Sequence, residues 1–161
     1  MSSFAAWKVD ASLVGPGVLL WVRKPRDTTK RGSTHDHWFV VVDVAPPGRI
    51  VAGTKLHIVG ISSHPQDMAA AVPMETAGTP LKGECYACLD WELDDRLLAI
   101  ESDEEGWDYE IRGAQLDRWD ASHAEPRYVD LNWFTKKLLP AREKYHRARQ
   151  SSKRRSARGE K

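Results

Sequence analysis

The apolar residues of this chain fall into short runs separated by turn formers, and the runs have the composition of strands. Residues 38–44 (WFVVVDV) and 56–61 (LHIVGI) are rich in Val, Ile or Phe and too short for helices; Pro46, Pro47, Gly48 and Gly53 divide them. Gly15-Pro16-Gly17 launches a third run, 18–23 (VLLWVR). Two more follow at 85–91 (CYACLDW) and 96–100 (RLLAI), with Asp94-Asp95 read as the turn between them, and residues 107–113 add a candidate edge strand. Strands this short and closely spaced predict one antiparallel, strongly curved sheet or small β-barrel.

The period changes at residue 130. Leu131, Phe134, Leu138 and Leu139 recur at helical spacing behind Asp130, a candidate N-cap, and Pro140 is expected to kink that helix or start another. Residues 141–150 are mostly good helix formers, whereas 151–161 (SSKRRSARGEK) offer little to bury and are expected to be disordered. Two polar connections complete the pattern. Residues 24–34 (KPRDTTKRGST) contain no apolar side chain and read as a basic exposed loop, and the Pro, Gly, Ala and Thr-rich stretch up to Pro80 reads as a long loop with one helical turn around 66–71. The expected organisation is an N-terminal extension (1–14), a β-barrel domain (15–129), a helical segment (130–150) and a basic tail (151–161).

At 161 residues and 41% hydrophobic, the chain has material for a single sizeable core. No window approaches the roughly 18 apolar residues of a membrane span, and residues 1–10 lack the charged start and apolar middle of a signal peptide, so a soluble cytoplasmic protein is expected. The net charge of +1 conceals an asymmetry: residues 136–161 hold 11 Lys or Arg against two Glu, which leaves the first 135 residues at −8. Cys85 and Cys88 lie three apart on a strand, hence on opposite faces; without a second cysteine pair they read as structural rather than as metal ligands. Trp21, Trp38 and Trp91 are expected in the core, and Trp119 and Trp133 to pin the C-terminal segment onto the sheet. His57 reads as a partly buried packing residue. No phosphate-loop, Rossmann or nucleophile-elbow spacing occurs.

The polar residues that bracket the two strongest strands define a candidate site. His35 and His37 precede the first, Ser62, Ser63 and His64 follow the second, and antiparallel pairing brings both groups to one edge. The succession Pro-Gly then VLLWV, a basic loop with Gly32, HWFVVVDV, KLHIVGISS, a long loop, LKGECYACLDW and RLLAI resembles the PemK/MazF family of toxin-antitoxin growth inhibitors over residues 15–100. That resemblance implies an SH3-like barrel, cleavage of single-stranded RNA, an antitoxin protein as partner, and a homodimer. The family's basic residue before the second strand falls on or beside His37, and its hydroxyl after the third falls on Ser62. The usual choices there are Arg and Thr, and an acidic residue is usual where Pro16 stands.

RNA cleavage without metal or cofactor needs a base for the ribose 2′-hydroxyl, an acid for the leaving oxygen and donors to the phosphate. Histidine, with a pKa near ~6.5, serves either proton role at neutral pH. The candidate catalytic residues are therefore His37, Ser62, His64 and His35, with Lys24, Arg26, Lys30, Arg31 and Ser63 as RNA-binding residues. Two functions are expected from this reading: a toxin-like endoribonuclease, or a non-catalytic barrel that binds nucleic acid or a protein partner.

Overall fold

A strand that is apolar at consecutive positions must be covered on both faces, and the central strands here are built that way. The computed structural model describes residues 14–23, 37–48, 51–79, 81–101, 107–111, 114–116 and 127–157. Within them, eight strands form one sheet: β1 (Val18–Arg23), β2 (His37–Ala45), β3 (Lys55–Ser62), β4 (Ala71–Pro73), β5 (Tyr86–Glu101), β6 (Trp107–Ile111), β7 (Ala114–Leu116) and β8 (Arg127–Tyr128). All pairings are antiparallel: β1 with β2, β7 and β8; β2 with β3; β3 with β5; β5 with β4 and β6; β6 with β7. The protein is thus mainly antiparallel β, followed by one C-terminal helix.

The runs expected at 38–44 and 56–61 become β2 and β3, each one residue longer at both ends. The turn expected at Asp94-Asp95 does not exist. Runs 85–91 and 96–100 belong to the single strand β5, because Asp94 stays in register opposite His57 and Asp95 opposite Leu56. Asp94 is exposed and meets Lys55 across the pair at 3.2 Å, whereas Asp95 turns inward and is buried; both are strand residues and neither is in a turn. The expected edge strand, β6, lies instead between β5 and β7; residues 112–113 fall outside the described residues.

The curvature of β5 has an identifiable origin. Its register with β3 passes from Glu92 opposite Val59 to Cys88 opposite Gly60, so Leu89, Asp90 and Trp91 stand outside the ladder and bend the strand. The inward-turned Trp91 ring occupies the space where any Cβ at position 60 would lie, which is why the position is glycine. Gly53, at φ +93°, supplies the left-handed residue in the β2–β3 connection, and its N–H donates to the Leu97 carbonyl at 2.6 Å.

Alternation along the strands produces two cores. Val18, Leu20, Phe39, Val41, Leu56, Ile58, Trp91, Leu93, Leu97 and Ile111 pack on one face, and Leu19, Val40, Val42, Val59, Ile61, Ala87 and Leu89 on the other. The second face is covered by helix α1, an α segment (Leu131–Trp133), a π segment (Phe134–Leu138) and a long α segment (Leu139–Ala157) that contributes Trp133, Phe134 and Leu138 to that core. Asp130 caps it, its carboxylate accepting from Trp133 N–H at 2.9 Å. Pro140 lacks an N–H and its ring crowds the preceding turn; the chain answers with the π segment just before it rather than with a break. Trp133 pins the helix as expected, donating from its indole N–H to the Pro73 carbonyl at 2.6 Å. Trp119 lies outside the described residues. The one helical turn expected near 66–71 is the 3₁₀ turn Met68–Ala70. Helix α1 continues past residue 151 to Ala157, because Gln, Lys, Arg and Ala sustain it where little can pack; residues 158–161 lie outside the described residues.

Further along α1 the seam with the sheet turns polar. The Arg142 guanidinium donates two hydrogen bonds to Glu92, at 2.7 and 2.9 Å, and both side chains are largely covered. This bond, and the charge of Glu92, hold the guanidinium pKa above its ordinary value against the opposing effect of burial. His57 lies 3.6 Å from Glu92 and 3.8 Å from Asp94, and His146 lies 3.4 Å from Glu92. His57 is partly buried, as expected, and its ring also faces the carboxylates of this seam.

Candidate functional site

The β1–β2 and β2–β3 registers decide which polar residues meet. Trp21 stands opposite Trp38 and Val22 opposite His37, while Phe39 stands opposite Gly60; continued for two residues, the last pairing brings His37 level with Ser62. The strand ends open on a cleft of ≈ 510 Å³ lined by Trp21, His37, Trp38, Ile61, Ser62, Ser63, His64, Leu81, Lys82 and Cys85. Four of the expected site residues, His37, Ser62, Ser63 and His64, thus share one concavity. His35 and the basic residues Lys24, Arg26, Lys30 and Arg31 lie outside the described residues.

Local hydrogen bonds orient the polar groups. The His64 backbone N–H donates to the Ser62 hydroxyl oxygen at 3.0 Å, so that oxygen is already used as an acceptor while its own proton is left to donate elsewhere. Ser63 Oγ lies 2.9 Å from His64 Nδ1, which occupies one ring nitrogen and leaves Nε2 for other work. The His37 ring meets the Trp91 ring edge-on, with centroids 5.0 Å apart, so the bend in β5 sets the position of a cleft histidine. Lys82 is the one Lys or Arg among the described residues of the lining.

The expectation that Trp21 and Trp38 lie in the core holds in part for Trp38, which packs against both cores, and is extended by their place at the cleft. Both are only half-buried and line the cleft, because a strand end leaves its outer side chains without a layer above them. The other missed residues, Leu81, Lys82 and Cys85, come from the connection before β5. Their only signal was a lone cation beside Gly83, a residue that needs a left-handed backbone. Cys85 and Cys88 do point to opposite sides, Cys88 into the first core and Cys85 against the second. Burial raises the Cys85 thiol pKa, and its Sγ sits 3.6 Å from the Lys82 carbonyl, so it is a neutral thiol at neutral pH and no ready nucleophile. Among the described residues no cluster of three or more His, Cys, Asp or Glu is arranged to hold a metal ion, and no helix is long and apolar enough to cross a membrane.

No family model, no curated protein and no solved structure matches this chain.

Proposed function

We propose that the protein is a PemK/MazF-like endoribonuclease that cleaves single-stranded RNA in this cleft, on a small SH3-like barrel. The barrel reading is supported by β1, which pairs with β2 on one side and β7 on the other. The observation that carries the functional reading is the convergence of His37, Ser62 and His64 on one cleft from two strands.

In this proposal one imidazole accepts the proton of a ribose 2′-hydroxyl as its oxygen attacks the adjacent phosphorus. The P–O5′ bond breaks, and the other imidazole protonates the leaving 5′-oxygen. The products are a 2′,3′-cyclic phosphate and a 5′-hydroxyl, and no metal or redox partner enters the balance. The Ser62 hydroxyl and Lys82 donate to the non-bridging oxygens as negative charge builds there. An antitoxin and a second copy of the chain are proposed as partners on the strength of the resemblance alone.

The test is incubation of the protein with single-stranded RNA in EDTA, with product ends identified. Cleavage to cyclic phosphate ends that drops more than about tenfold, ~1.4 kcal/mol of barrier, in His37→Ala supports the proposal. Intact RNA at all protein concentrations would sink it, and RNA binding without cleavage would point to a non-catalytic barrel.

A further inference from the structure

The two tryptophans of the cleft have no role in the proton transfers above. Tryptophan is the largest apolar side chain, and burying it fully is among the larger gains a core can make. Yet Trp21 and Trp38 both stand half-covered at the mouth of the cleft, directly opposite each other on β1 and β2. Their centroids are 5.1 Å apart at an interplanar angle of 63°, an edge-to-face pair. In such a pair one ring spends an edge and the other a single face, so at least three of the four indole faces are not covered by the partner. Trp38 also packs against both cores, which fixes it as the supporting member of the pair. The same cleft is lined by groups of different character: Lys82, exposed, and the serines Ser62 and Ser63. The volume of ≈ 510 Å³ falls within the roughly 300–1,000 Å³ of small-ligand sites.

Aromatic rings that share a cleft with a cation and hydroxyls are suited to an unpaired base and its phosphate: the base stacks on the ring whatever its identity, and the ammonium holds the backbone charge. We propose that Trp21, backed by Trp38, is a base-stacking subsite and that Lys82 anchors the adjacent phosphate, so that the strand is held by a splayed base beside His37 and His64. The inference deepens the reading of the cleft as an RNA site and rests on it. It assigns binding residues that act whether or not cleavage occurs.

The test uses the full chain and a short 2′-O-methyl oligouridylate, whose blocked 2′-oxygen removes the nucleophile, alongside an abasic oligomer of the same length and charge. Affinities are measured by fluorescence anisotropy. The wild type should bind the base-bearing strand about tenfold or more tightly than the abasic strand. Trp21→Ala should erase that preference, and Trp21→Phe should retain most of it. Because the comparison is made within each variant, a partial loss of folded protein lowers both affinities alike, and an unchanged circular dichroism spectrum of Trp21→Ala excludes unfolding as the cause. Lys82→Gln should weaken both oligomers alike and flatten the salt dependence by about one unit of slope. Equal affinity of the wild type for the two oligomers, or binding of neither, overturns the subsite. Tight, base-dependent binding together with intact unmodified RNA would sink the cleavage reading and leave the subsite standing.

Discussion

Replacing Gly60 by Ala tests whether the bend in β5 really depends on the missing side chain. Gly60 is not one of the positive-φ glycines, so its backbone accepts alanine, and on chain entropy alone the change should stabilise a strand by roughly 0.5–1 kcal/mol. Against that stands the Trp91 ring, which the new methyl would strike. The ring has nowhere to retreat: it is 2% exposed and held between Phe39, with centroids 4.8 Å apart, and His37 at 5.0 Å. Overpacking of this kind costs about 1–3 kcal/mol, and the rigid surroundings place it near the upper end. The net expectation is a loss of about 2 kcal/mol, or a fall in Tm of roughly 4–8 °C for a chain of this size. Urea denaturation of Gly60→Ala, with an unchanged m-value, would measure it. The double variant Gly60→Ala, Trp91→Leu should lose at least about 1 kcal/mol less than the sum of the singles, because the smaller side chain vacates the contested space. A neutral or stabilising Gly60→Ala, or strict additivity, would refute the account. Since the Trp91 ring also meets the His37 ring, the proposed RNA cleavage should be weaker in Gly60→Ala at temperatures where the fold is still intact.

Three further outcomes follow from the described contacts. Arg142→Ala strips Glu92 of its bidentate partner at a largely covered seam and should cost about 1–2 kcal/mol after allowance for solvent screening, measured by urea melts, with Arg142→Met recovering part through packing. Asp130→Ala removes the cap on Trp133 N–H and should cost about 1 kcal/mol, with Asp130→Asn or Asp130→Ser losing less. The Cys85 pKa is raised by burial, so iodoacetamide should label it slowly at neutral pH, the rate rising only above the usual thiol range; fast labelling at pH 7 would contradict that burial. The same shift means that whatever stability the neutral thiol adds is present below the unfolded-state pKa and lost as pH climbs through the folded-state value.

How much of this was legible in the residues differs by element. Strands β1, β2 and β3 could be read directly, because Val, Ile and Phe runs ended by Pro and Gly have few other uses. Strand β5 was misread at Asp94-Asp95. Two adjacent aspartates look like a turn until Lys55 and His57 arrive across the ladder, and that pairing is a tertiary fact no local pattern carries. The edge shared by His37 and Ser62 followed from antiparallel pairing alone. Trp21 and Trp38 were assigned to the core because an aromatic in a strand is usually inside, and nothing local distinguishes a strand's middle from its mouth. Lys82 and Cys85 reached the cleft through the fold of a connection whose course the sequence pattern does not reveal.

Helix α1 lies downstream of every strand, and this has a consequence for how the protein is made. Until Trp133, Phe134 and Leu138 have been synthesised, the sheet face carrying Val40, Val42, Val59, Ile61, Ala87 and Leu89 has no cover. At about 5–20 residues per second, the interval between translating Leu89 and Leu138 is roughly 2–10 s. For that time the nascent chain presents a β-rich apolar surface to the surrounding solvent, long enough to recruit a holding chaperone or a neighbouring nascent copy. A premature stop ahead of Trp133 would make that exposure permanent, and its product should be recovered in inclusion bodies even though all eight strands have been translated.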